Sequence, residues 1–199
     1  MNILLMDGLP NEYEGIPIST DFRNMINVDL IMNDDDLNDH EKLIAALTQL
    51  YPEIPGDIET AVKGLSWFFS GGIEAEQGGG SGKRIARAFD FDQDANMIYA
   101  AFYATYGISL TTIKYMHWWE FKALFEGLPE DTQIKKVMYY RTADTSEVSK
   151  TEKTHIEKMR KLFKLKETKM PAMDAETLKQ QTKERVERRF REAQASLNK

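Results

Sequence analysis

A chain of 199 residues, 42% hydrophobic and 29% charged, has the make-up of a globular protein, and its ten Phe, eight Tyr and three Trp supply core material. It has no cysteine, which excludes disulfides, thiolate metal sites and thiol nucleophiles and suits a reducing compartment. The net charge of −6 conceals an acidic body and a basic tail: residues 150–199 carry 15 Lys+Arg against 8 Asp+Glu, a net +7, and residues 1–149 carry 11 against 24, a net −13.

The apolar run at the start stops at Asp7, too early for a signal peptide, and no stretch approaches the roughly 20 apolar residues of a membrane span. Glu12-Tyr13-Glu14-Gly15-Ile16-Pro17-Ile18 alternates apolar residues around a glycine, which predicts a short β-hairpin before Thr20 or Asp21 caps a helix over 21–33. A second helix is expected from Asn38 or Asp39 until Pro52 and Pro55 break it, and a third from Asp57 to Ser70. Residues 71–84 hold six of the twelve glycines and read as a flexible Gly-rich loop. Helical spacing resumes over 92–106, stops at Gly107, returns over 111–126, and ends at Gly127 and Pro129. Further helices are expected over 130–142, 146–166 and 174–197. The fold class is mainly α: a compact helical domain with a short N-terminal β-hairpin, a Gly-rich loop and a C-terminal helical extension. Its parts are 1–70, the loop 71–84, a second part of the body over 85–166, and a basic extension over 167–199.

Motifs for chemistry are mismatched. Gly78-Gly79-Gly80-Ser81-Gly82-Lys83-Arg84 has Gln77 where a phosphate-binding loop needs its first glycine and Arg84 where it needs Ser or Thr. Asp90, Asp92 and Asp94 have the opening spacing of a calcium loop, but Ala95 stands at the glycine of the sharp turn and Ala101 at the bidentate Glu. Capping of a helix N-terminus by one of these aspartates is the better reading. His40, His117 and His155 have no metal-ligand spacing, so no metal or cofactor is expected. His117 and Glu120 would share a helix face, where a structural pair is a better account than acid/base work. No nucleophile elbow occurs, and no enzyme is expected.

Ile113 to Phe125 is apolar nearly all round a helix, with Trp118 and Trp119 pointing in different directions. That pattern reads as the central core helix, with Trp118 the alternative candidate for a partner-binding surface. In the tail, Leu178, Val186, Phe190 and Leu197 form a narrow apolar stripe on a basic cylinder, which makes them candidates for contact with a partner or another copy. Arg185, Arg188, Arg189 and Arg191 alternate with Glu184, Glu187 and Glu192, a solvated charged face and not a nucleic-acid footprint.

The opening Ile3-Leu4-Leu5, Ile16-Pro17-Ile18-Ser19-Thr20-Asp21-Phe22-Arg23, Tyr51-Pro52-Glu53-Ile54-Pro55, Gly80-Ser81-Gly82-Lys83-Arg84, His117-Trp118-Trp119-Glu120-Phe121 and Gly127-Leu128-Pro129-Glu130-Asp131-Thr132, taken in order, resemble the phage gene product fifteen family. That family belongs to the tail modules of long-tailed phages and prophages of Gram-positive bacteria. The match spans about residues 1–166, and 174–199 depart from it. The resemblance implies a tail assembly chaperone in the host cytoplasm. Such a protein would bind the tape measure protein, keep its helices soluble, yield it to the major tail protein and self-associate. From the lack of an apolar span and the mixed charges of the tail, neither a membrane nor a nucleic acid is expected as a partner. The alternative is a structural tail or connector component retained in the virion.

Overall fold

Seven helices and one two-stranded hairpin make up the described part of the computed structural model, residues 8–73 and 87–166. Apart from Lys166 these lie in one compact unit, Met1–Leu165. Strands β1 (Glu12–Tyr13) and β2 (Ile16–Pro17) are antiparallel with Tyr13 opposite Ile16. Glu14 and Gly15 both take positive φ, 50° and 76°, the backbone that matches a two-residue turn to the strand twist. The chain then leans on the helical body, with Ser19 N–H donating to the Leu50 carbonyl at 2.6 Å.

The first three helices start on side-chain caps that the sequence announces. Helix α1 (Phe22–Met32) is capped by Asp21, α2 (Asp39–Leu50) by Asn38 in a reciprocal box with Glu41, and α3 (Ile58–Phe69) by Asp57. Helix α4 (Ala95–Tyr106) ends at Gly107; α5 (Trp118–Glu126), α6 (Gln133–Thr142) and α7 (Lys150–Leu162) complete the unit. One apolar cluster unites α1 to α6, from Phe22, Met25 and Leu47 through Phe68 and Phe102 to Phe121 and Ile134. Helix α7 adds only Ile156 to the buried residues and is joined to α6 by Arg160, which donates to the Tyr140 and Ala143 carbonyls at 2.9 and 2.6 Å.

Two expectations need correction. The helix expected over 111–126 begins only at Trp118, because the backbone before it is committed elsewhere. Phe22 N–H donates to Met116 O (3.0 Å) and Trp118 N–H to Thr20 O (2.8 Å), while Arg23 Nη2 takes the carbonyls of Leu110 and Ile113 at 3.2 and 2.6 Å. Those groups would otherwise serve helical bonds. Asp94 does occupy the N-cap position of α4, but its side chain makes no cap bond because it is held by Arg141. The Gly-rich loop beyond Ile73, the extension 167–199 and the helix expected over 174–197 lie outside the described residues.

Candidate functional site

Helix α5 organises the centre of the protein. His117 is its N-cap, and Nδ1 accepts the Trp119 N–H at 3.0 Å while Nε2 bonds the Pro10 carbonyl at 3.0 Å. With Nδ1 as acceptor, the proton sits on Nε2, so the ring is neutral and donates to Pro10. Burial pushes its pKa below 6.5, against opposing pulls from the Pro10 carbonyl and the Glu120 carboxylate. His117 thus joins the segment before β1 to the core, and Glu120 is exposed instead of sharing a hydrogen-bonded pair with it.

Both tryptophans turn inward. Trp118 is 4% exposed and its indole N–H donates to Phe69 O at 3.0 Å; Trp119, equally buried, donates to Phe68 O at 2.8 Å. The two indoles satisfy the last carbonyls of α3, where helical bonding runs out. Trp118 is therefore no free-standing surface anchor. It is instead part of the wall of an apolar cavity of about 360 Å³, together with Phe69, Phe89, Phe91, Phe121 and Phe125. The charged groups around that cavity are mutually compensated: Lys122 pairs with Glu126, Lys135 Nζ donates to Glu126 O at 2.8 Å, and Asp29 pairs with Arg87 at 2.9 Å. A second cavity of about 440 Å³ lies among Phe22, Ile26, Ile98 and Leu110, and Phe91 and Phe121 line both.

The segment that carries Phe91 has no helix or strand and is tied down by charge. Arg87 bridges Asp29 (2.9 Å) and Asp90 (3.1 Å). Asp90 Oδ1 accepts the N–H groups of Asp92 and Gln93, and Asp94 Oδ2 accepts that of Asp90, each at 2.9 Å. Arg141 makes a fork to both Asp94 oxygens, at 2.5 and 3.0 Å, and reaches Ala88 O and Phe163 O at 3.1 and 2.7 Å. Asp94 and Arg141 are 2% and 9% exposed. Asp90, Asp92 and Asp94 thus organise a turn and a buried ion pair. Sequence spacing gave no hint of Arg141, which lies among tyrosines in the last turn of α6; the alternation Phe89-Asp90-Phe91-Asp92 is a signal for an inserted aromatic segment.

Of the candidate contact residues, Trp118 is placed as above, while Leu178, Val186, Phe190 and Leu197 lie outside the described residues. Among the described residues no three His, Cys, Asp or Glu side chains are grouped to hold a metal ion, and no helix is long and apolar enough to cross a membrane. What the arrangement offers is aromatic surface in two adjoining hollows, with Tyr103, Tyr115, Tyr139 and Leu162 exposed elsewhere.

A family model described as Bacteriophage Gp15 protein matches residues 5–165, nearly the whole span of the first compact unit. No curated protein and no solved structure matches the chain.

Proposed function

Because the chain belongs to the bacteriophage Gp15 protein family, a family of phage structural, tail-related proteins, we propose that it is a non-enzymatic tail assembly chaperone. In this reading it binds the tape measure protein of its phage, keeps that long helical client soluble, and recruits major tail protein subunits as the tube grows. It works in the host cytoplasm and leaves before the virion is complete. The observation that carries the reading is the family match over 5–165. The aromatic hollows around α5 support it, since apolar side chains from a helix need concave apolar surface to bury against. The acidic balance of residues 1–149 supports it as well, because a charged exterior keeps a client-loaded protein from aggregating.

Co-expression with the tape measure protein tests the reading: the two should co-purify, and the client should precipitate when expressed alone. Mass spectrometry of purified particles should then find the tape measure protein and not the chaperone. Presence in particles at fixed copy number would instead establish the other reading, a structural tail or connector component.

A further inference from the structure

The two cavities share one partition. Phe91, from the segment between Arg87 and α4, and Phe121, from α5, line both. Phe121 is fixed in a helix and stacks on Phe22 and Phe102 at 4.8 and 5.0 Å. Phe91 is held differently. Its ring packs edge-on at 5.0 Å against Phe89 of its own segment and meets Phe121, Phe125 and Trp118 at 6.1 to 6.5 Å, and its backbone is in no regular element. Although buried, it has a hollow on each side, and its closest ring contact is to Phe89 within the segment and not to α5.

We propose that residues 87–91 form a strap that opens as a unit, hinging at 92–94, so that withdrawal of Phe91 and Phe89 joins the two cavities into one continuous apolar groove along α5. The fastenings have the character such a device needs. Arg87 is a clasp at the far end, bridging Asp29 on α1 and Asp90, with its side chain 35% exposed and so within reach of solvent and salt. Arg141 holds Ala88 O by a single bond at 3.1 Å, whereas its fork to Asp94 anchors the hinge side and stays closed when the strap lifts, and the bonds between Asp90 and residues 92–94 are those the hinge gives up. The edge contact of Phe89 with Phe125 at 4.8 Å is the packing that opening must give up, and fastenings that solvent can replace yield at a lower free energy than the core. The strap is a property of the chain's own fold and holds whichever client the protein serves.

Native-state hydrogen exchange of the full-length protein tests this. The peptide covering 87–93 should exchange at least about tenfold faster than peptides of α5 and α1, under conditions where the protein stays folded, and faster still as salt rises. Arg87→Gln should accelerate exchange of that peptide several-fold and remove its salt dependence, while α5 is unchanged. The same variant should bind the apolar dye anilinonaphthalene sulfonate more strongly, with its near-ultraviolet circular dichroism preserved. Exchange of 87–93 in step with α5, in either protein, would overturn the proposal by showing that the segment opens only with the whole fold. So would faster exchange in Arg87→Gln without added dye binding, since no groove would then have formed.

Discussion

Asp94 and Arg141 are withdrawn from water together, and their geometry decides whether the pair holds the fold or burdens it. A buried ion pair recovers its desolvation cost only when the fork is well formed and the remaining donors are used. Here Nε and Nη1 also reach the Phe163 and Ala88 carbonyls, so one guanidinium ties α4, the strap and the end of α7 to α6. Arg141→Met should therefore destabilise by about 3–5 kcal/mol in urea unfolding, because it leaves Asp94 buried and unpaired. Arg141→Met with Asp94→Leu should recover much of that loss. His117 gives a pH test. Its pKa is held below 6.5 in the fold and returns to about 6.5 on unfolding, so the unfolded chain binds the proton more readily. The stability His117 contributes is complete above pH 6.5 and is lost as pH falls from 6.5 through the lower folded value. Carboxylates also respond to acid, so the comparison that isolates it is with His117→Asn, which retains a cap acceptor. Melting temperatures of the two proteins should converge as pH is lowered from 7.5 to 5.

At the scale of elements, the helices legible in the sequence are those whose signals are local. Asn38 with Glu41, Asp57, Gly107 and the three- and four-residue apolar spacing lie within a turn or two of what they specify. The irregular run 108–117 was not legible, because Arg23 holds it from α1, 87 and 90 residues away, and no periodicity records such a bond. The candidate site was half legible for the same reason: α5 announces itself as enclosed, but which indole lines a hollow depends on α3 and the strap. The indoles also sort two substitutions on α5. Trp119→Ala removes a buried ring and its bond to Phe68 O and should cost about 3–5 kcal/mol, whereas Leu124 is only half-buried and its truncation should cost less than about 2 kcal/mol by urea unfolding. Gly64 in the middle of α3 looks like a weak helix residue, and Ala there would gain about 1 kcal/mol of propensity. A Cβ at that position would stand 2.7 Å from Tyr13 Cδ1 and against the hydroxyl of Tyr51, which is 2% exposed. Overpacking costs about 1–3 kcal/mol, so Gly64→Ala should be destabilising, by up to about 2 kcal/mol, and a stabilised variant would show that the hairpin yields freely.

For the whole molecule, the question is where the folding unit stops. The family match ends at residue 165, Arg141 grips the carbonyl of Phe163, and the Phe163 ring stacks on Tyr140 at 6.4 Å. Ile156, 1% exposed, and Arg160 add the remaining ties of α7 to α6. These side chains make α7 part of the body although its surface is almost wholly polar, and they place the end of the unit just after Phe163. A chain stopped after Lys169 should then melt within a few degrees of the full-length protein, while a chain stopped after Ser149 should lose several kcal/mol. That shorter chain loses Ile156, costs Arg141 one of its acceptors, and leaves the last carbonyls of α6 uncapped. Thermal unfolding of the three proteins decides the matter. If the 169-residue chain also melts far below the full-length protein, the basic extension belongs to the fold and not to a separate contact with a client or another copy.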